Sequence, residues 1–126
     1  MAKIKLGARP ENFKHTVKFP MLDGTTGLIK VSYRYRTRKE FGVFIDGMVA
    51  DAKVEKAEDA EFSMSDLMDK TAGSNGQYIL KAVDGWDLDE EFNIENVQQL
   101  ADELPSAVNA IMEAYRIAIL EGRLSN

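Results

Sequence analysis

The sequence predicts an α+β fold, with an N-terminal antiparallel β-hairpin followed by a mainly helical body of about four helices. Residues 12–36 hold two runs of alternating apolar and polar side chains around a glycine-containing turn, which is typical of a hairpin. Residues 37–126 carry apolar side chains at helical spacing, divided by capping residues, glycines and a proline. The length of 126 residues, with 44% hydrophobic and 29% charged residues, fits one globular domain. We expect residues 1–11 to form a flexible arm ahead of it.

The hairpin is predicted to have one apolar face and one cationic face. Successive side chains of a strand point to opposite sides, so every second residue shares a face. In residues 12–19 one side carries phenylalanine and valine, and the other carries lysine. Residues 23–27 form the turn, and alternation resumes over residues 29–36. The expected core face of the second run carries Tyr33 and Tyr35, and its expected solvent face carries Arg34 and Arg36.

A capping box begins the first helix at residues 37–40. The hydroxyl of Thr37 can accept from a free backbone N–H, while the side chain of Glu40 reaches back to the backbone of Thr37. The apolar side chains that follow have the spacing of one helix face. They are Phe41, Phe44, Ile45, Met48, Val49 and Ala52.

The middle of the chain is predicted to contain two short helices. Ser63 can cap the first, and the glycines in residues 73–76 are expected to end it. Ser74 and Gln77 form a second capping box. The next stripe favours a helix over a strand and continues to the only tryptophan. It comprises Tyr78, Ile79, Ala82, Val83 and Trp86.

The last two helices have clear predicted ends. Asn93 caps one helix, and Pro105 suits the first turn of the next. Gly122 is well placed to end that helix in a left-handed conformation, with Arg123 near the negative end of the helix dipole. The apolar stripe of the last helix includes Tyr115.

No catalytic or metal-binding constellation is present in the sequence. His15 is the only histidine, and there are no cysteines, so neither a triad nor a zinc site can be assembled. We therefore predict no catalytic residue, no cofactor and no metal. Acidic residues cluster around Trp86 without the spacing of a calcium loop, and we expect them to face water or the next helix N-terminus. Trp86 is interpreted as a packing anchor whose indole N–H needs a partner.

The charge is unevenly distributed along the chain. Residues 1–39 contain ten Lys and Arg against two Asp and Glu, a net charge of +8. Residues 40–126 contain six against nineteen, a net charge of −13. This asymmetry favours protein contacts or simple solvation, and the opposite charges would also favour head-to-tail self-association into a homo-oligomer. Nucleic-acid binding through the basic hairpin is the weaker alternative, because the net charge of the chain is −5. No segment is long and apolar enough to cross a membrane.

The C-terminal tract resembles the small tail assembly chaperones of long-tailed bacteriophages and prophages. The resemblance covers residues 78–126 best. It is carried by the tract at residues 83–88 with its Gly-Trp-Asp corner, and by Asn-Val-Gln-Gln-Leu at residues 96–100. The Leu-Pro-Ser-Ala of residues 104–107 and the Gly-Arg-Leu-Ser-Asn of residues 122–126 complete it.

The resemblance implies a non-enzymatic protein that coats the long, helical, apolar tape-measure protein until the tail tube polymerises around it. In many such phages a frameshifted longer form also contacts the tail tube protein, so that protein is a further expected partner. The family supplies no catalytic or cofactor residues. Methionine repacks easily, so the methionines are candidates for adaptable binding surfaces, with ordinary core packing as the alternative. They are Met48, Met64, Met68 and Met112.

We therefore predict a tail assembly chaperone that acts in the host cytoplasm and is absent from the mature virion. The alternatives are a small nucleic-acid-binding or regulatory protein that uses the basic hairpin, and a minor structural protein of the virion. Five residues are candidate interaction or structural anchors. They are Trp86, Tyr115, Arg34, Arg36 and Arg123.

Overall fold

A computed structural model describes residues 4–54 and 64–124 of the chain. The predicted fold class is confirmed, because an N-terminal antiparallel hairpin precedes four helices in these residues, with one additional strand. The elements are β1 (Asn12–Pro20), β2 (Thr26–Arg34), α1 (Arg38–Val54), α2 (Met64–Ala82), β3 (Val83–Trp86), α3 (Ile94–Glu103) and α4 (Pro105–Glu121).

The hairpin forms where the alternation of the sequence predicts it. β1 and β2 pair antiparallel from Asn12 opposite Arg34 to Pro20 opposite Thr26. The turn contains Gly24 at φ 87°, a left-handed conformation that glycine adopts without strain. Its shape is also held by Asp23, whose carboxylate accepts from the side chain and the backbone N–H of Thr25. These hydrogen bonds lower the pKa of the Asp23 carboxyl group.

A third strand lies where the sequence indicated a helix. α2 ends at Ala82, and Val83–Trp86 pairs antiparallel with β2, so the sheet order is β1-β2-β3. The prediction that the helical stripe continues to Trp86 was therefore wrong. Val83 still faces the core, opposite Tyr33, which explains why its apolar character fitted the helix pattern equally well.

The capping box at the start of α1 is confirmed. The Thr37 side chain accepts from the backbone N–H of Glu40 at 3.2 Å, and Glu40 accepts from the backbone N–H of Thr37 at 2.9 Å. Arg9 adds an ion pair to Glu40 at 2.8 Å. The pKa of the Glu40 carboxyl group is lowered by the Thr37 backbone N–H and then by Arg9.

α2 is one continuous helix rather than two short ones. It runs through Gly73 and Gly76, so both the predicted break and the predicted capping box at Ser74 were wrong. The glycine at position 76 allows α3 to approach closely. A Cβ atom there would lie 3.2 Å from the side chains of both Ile94 and Gln98, which is tighter than an ordinary contact. Ser63, the predicted cap, lies outside the described residues, as do the side chains of Ala52, Leu67 and Met68.

The ends of the last two helices are confirmed. Asn93 caps α3, and its side-chain oxygen accepts from the backbone N–H of Asn96 at 2.9 Å. α4 begins at Pro105. It ends at Gly122, which has φ 68° and donates its N–H to the carbonyl of Ala118 at 3.1 Å.

The helices cover one face of the sheet and bury the core against it. α4 packs across β1 and β2, and α2 packs against α3 and α4. Each large apolar side chain that is fully buried contributes about 1.5–3 kcal/mol relative to exposure. The most completely buried side chains are Tyr33, Tyr115, Ile79, Ile111, Val31, Val83, Val97 and Val108.

Candidate partner-binding groove

An open apolar groove lies between α1, α2 and α4. Its volume is about 590 Å³. Its apolar lining comes from Phe41 and Ile45 of α1, Tyr78 of α2 and Met112 of α4. Phe41 and Tyr78 are buried, whereas Ile45 and Met112 are half-buried, so the groove has a fixed floor and more accessible sides.

An aromatic cluster holds the floor of this groove in place. Phe44 contacts Tyr78 with ring centroids 4.9 Å apart, and Phe41 contacts Tyr115 at 5.8 Å. Tyr78 and Tyr115 meet edge to face at 6.3 Å. Because Tyr115 is fully buried and also stacks on Tyr33 of the sheet, the floor is continuous with the main core.

Arg36 secures the cluster from the side of the hairpin. Its guanidinium donates to the Tyr115 hydroxyl at 2.8 Å and to the Lys81 carbonyl at 3.0 Å, and it lies 4.4 Å from the centre of the Phe44 ring. The prediction that both arginines face solvent was therefore wrong for Arg36. β2 ends at Arg34, so the alternation of the strand no longer fixes the direction of the side chain two residues later.

The Tyr115 hydroxyl links the hairpin to α4. It donates to the backbone carbonyl of Arg34 at 2.8 Å while accepting from Arg36. Burial raises the pKa of this hydroxyl, although the hydrogen bond from Arg36 opposes that change. The group therefore stays protonated at neutral pH and can serve as donor and acceptor at once.

The rim of the groove is polar. Asn109, Glu113 and Arg116 lie with Met112 on one face of α4, at spacings of three, four and seven residues. Glu113 and Arg116 form an exposed ion pair. The hydrogen bond from Arg116 lowers the pKa of the Glu113 carboxyl group, so the rim presents one fixed anion beside one fixed cation.

Comparison with known proteins supplies the family. A family model described as a phage tail assembly chaperone matches residues 1–126. The chain belongs to this family. No curated protein and no solved structure matches it. The resemblance drawn from the C-terminal tract is confirmed, and the match also includes the basic hairpin and α1.

Because the chain belongs to this family, its partners in phage tail assembly are proteins. None of its helices within residues 4–54 and 64–124 combines the length and apolar character needed to span a bilayer. In the same residues, no three His, Cys, Asp or Glu side chains are placed to hold a metal ion.

The structure brings two of the five predicted anchor residues together and separates the others. Arg36 and Tyr115 form the support of the groove, as described above. The exposed side chain of Arg34 points away from it, on the outer face of the sheet. Arg123 follows the end of α4 and forms an ion pair with Glu121 at 3.1 Å.

Trp86 anchors a different part of the chaperone. It ends β3, half-buried, and its indole N–H donates to the Glu90 carbonyl at 2.8 Å. Its ring meets Phe92 edge to face at 5.1 Å. The predicted need for a hydrogen-bond partner is confirmed, but the corner joins a strand, not a helix, to the following loop.

Sequence reasoning assigned the groove residues to helix stripes without recognising a site. The stripe of α1 was predicted to pack in the core, which is confirmed for Phe41 and Ile45 but was wrong for Val49, because its side chain is exposed. The available signal was the length of that stripe, which continues past Ile45, the last residue of α1 that lines the groove. Val49, at the far end of the described stripe, is 47% exposed.

Proposed function

We propose that this chaperone binds an apolar helical segment of the tape-measure protein in the groove between α1, α2 and α4. The observation that carries the proposal is the apolar stripe of α1. It begins in the core at Phe41, lines the groove at Ile45 and reaches solvent at Val49, so an apolar surface leaves the core beside an open groove. A helix with apolar residues at spacings of three, four and seven is the partner that such a surface accommodates.

The side chains of the groove suit a partner whose sequence varies along its length. Met112 is half-buried at the side of the groove, and an unbranched thioether adapts to differently shaped apolar surfaces. Phe41 and Tyr78 are buried and give the groove a floor that is already ordered, which reduces the entropy lost on binding. The Glu113–Arg116 pair can contact the polar flank of a helix seated there.

The proposed action is binding without catalysis. A long apolar helix exposed before tube assembly would aggregate, and coverage of its apolar face would keep it dispersed. We propose that the chaperone does this in the host cytoplasm and leaves before the virion is complete. Mass spectrometry of purified virions tests the last point, and stoichiometric amounts of the chain in the particle would contradict it.

Co-expression with the tape-measure protein of the same phage tests the proposed function. We expect the chaperone to keep that protein soluble and to co-purify with it. The variant Met112→Glu places a charge in the groove and is expected to reduce co-purification at least tenfold, while Leu28→Glu, on the outer face of the sheet, retains it. Thermal unfolding of both variants shows that they are folded.

Two results would contradict the proposal. One is a tape-measure protein that stays insoluble although the chaperone is abundant. The other is equal co-purification by folded Met112→Glu and wild type. The same co-purification with the tail tube protein in place of the tape-measure protein shows whether the tube protein is a partner of this chain.

A further inference from the structure

The outer face of the hairpin carries four cationic side chains and no carboxylate from β1 or β2. This face points away from the helices, and Leu28 upon it is 59% exposed. The cations are all exposed, and each lies opposite a neutral residue of the neighbouring strand. They are Lys14 opposite Ser32, Lys18 opposite Leu28, Lys30 opposite Thr16, and Arg34 opposite Asn12.

The register places the four cations in a regular row. Along the hairpin axis they follow in the order Arg34, Lys14, Lys30 and Lys18, alternating between β2 and β1. Each step advances two residues along the strand, which is about 6.6 Å. The row therefore presents four positive charges separated by three such steps.

The described residues do not neutralise this row with ion pairs. Among residues 4–54 and 64–124, none of the four cations lies within salt-bridge distance of a carboxylate. β3 contributes Asp84, and Asp87 is the residue that follows this strand, but both carboxylates accept other hydrogen bonds. Asp84 accepts from the Asn12 side chain at 3.1 Å, and Asp87 accepts from the backbone N–H of Lys30 at 2.9 Å.

A shallow depression lies within this face. Its volume is about 510 Å³, and Lys14 and Lys30 stand among its walls. Thr16, Ser32, Gly85 and the acidic Asp87 also line it, and a Cβ atom added at Gly85 would meet nothing within 4 Å. Small residues between long cationic ones leave room for a polypeptide backbone to lie against the sheet.

We propose that this cationic face binds an extended acidic polypeptide segment of a protein partner, one that carries carboxylates at alternate positions. Alternate side chains of an extended chain lie on one side at intervals of about 6.6 Å, which matches the row of cations. The proposal concerns a second surface and does not depend on tape-measure binding in the groove.

Observations on the same face favour a polypeptide over a nucleic acid. Single-stranded nucleic acids are held by aromatic stacking as well as by cations. The outward-facing side chains of β1 and β2 include no aromatic ring, since Phe13, Phe19 and Tyr33 all belong to the core face. Trp86 also lines the depression, but it pairs with Val31, whose side chain is on the core face. The net charge of −5 also opposes binding of a long polyanion.

Fluorescence anisotropy with labelled synthetic peptides tests the proposal on the full chain. The probe is a ten-residue peptide of alternating glutamate and serine, and its control has the same composition with the glutamates in one block. We expect the alternating peptide to bind more tightly and to weaken as salt rises, because screening shortens the range of exposed charges. A single-stranded oligothymidylate of equal charge provides the nucleic-acid comparison.

A matched pair of variants identifies the surface. Lys14→Gln combined with Lys30→Gln is expected to weaken the alternating peptide about tenfold, whereas Arg38→Gln combined with Lys39→Gln on α1 removes equal charge and has little effect. Circular dichroism shows that both variants are folded. The proposal would be overturned if the two peptides bound equally or if neither bound. It would also be overturned if both variants lost the same affinity, or if the oligonucleotide bound more tightly than the alternating peptide.

Discussion

The groove between the helices and the cationic face of the hairpin differ in how they are supported. The groove rests on the aromatic cluster around Tyr115, which is continuous with the core. The core covers the opposite side of the sheet from the cationic face. The side chains of the cationic face themselves make few packing contacts. The difference shows that a single small chain can pair a surface defined by shape with a surface defined by charge spacing. Substitutions in the aromatic cluster beneath the groove should therefore destabilise the fold, whereas substitutions on the cationic face should leave its stability unchanged.

The largest contrast is expected between Tyr115→Ala and Leu28→Ala. Truncation of a large buried aromatic residue costs about 3–5 kcal/mol, and Tyr115 also holds two hydrogen bonds. Truncation of the exposed Leu28 should change the free energy of unfolding by less than about 0.5 kcal/mol. Denaturant unfolding of both variants measures this difference, and equal stabilities would mean that the cluster does not support the groove.

The two arginines at the end of β2 provide a second contrast. Arg36→Met removes the hydrogen bonds to Tyr115 and to the Lys81 carbonyl and should lower the free energy of unfolding by about 1–3 kcal/mol. Arg34→Met removes only an exposed charge and should leave it nearly unchanged. Guanidinium titrations of the pair decide the point. Equal losses would show that Arg36 does not turn inward.

The two glycines of α2 provide a third contrast, where α2 packs against α3. Gly76→Leu should destabilise the fold by about 1–2 kcal/mol net, because crowding against α3 exceeds the gain in helix propensity. Gly73→Ala has room for its methyl group and should stabilise the helix by about 0.5–1 kcal/mol. Thermal unfolding followed by circular dichroism measures both. If Gly76→Leu were the more stable variant, α2 and α3 would not pack this closely.

The smallest of these contrasts in stability concerns the junction between the hairpin and α1. Thr37→Ala removes the side chain that caps α1 and should cost about 1 kcal/mol. Thr37→Ser keeps the hydroxyl and serves as the control. Equal unfolding midpoints for Thr37→Ala and Thr37→Ser would indicate that the capping box adds nothing to the position of the α1 stripe beside the groove.

Local patterns made most of the fold predictable. Alternation over residues 12–19 located β1, and the capping residues Thr37 and Asn93 located two helix starts, because each signal depends only on near neighbours in the chain. β3 was not predictable in this way. Val83–Trp86 is four residues long, too short to show a period of two, and it continues the stripe of the preceding helix.

The remaining differences between the predicted and the observed structure arise from tertiary contacts. A glycine usually interrupts a helix, and only the nearby side chains of Ile94 and Gln98 explain why Gly76 lies inside one. Arg36 turns towards Tyr115, which lies 79 positions further along the chain. The groove also joins segments that are far apart in the sequence, because α1, α2 and α4 each contribute one side. No local pattern could therefore reveal it.

The most direct test of the proposed function compares two valines of α1. Val49 continues the apolar stripe of α1 beyond Ile45 and is 47% exposed, whereas Val43 lies off the stripe and is 67% exposed. Both can become glutamate without burying a charge in the core. The measurement is isothermal titration calorimetry of a purified helical tape-measure segment with wild type, Val49→Glu and Val43→Glu. We predict at least tenfold weaker binding for Val49→Glu and unchanged binding for Val43→Glu, and equal affinities of all three proteins would contradict the account.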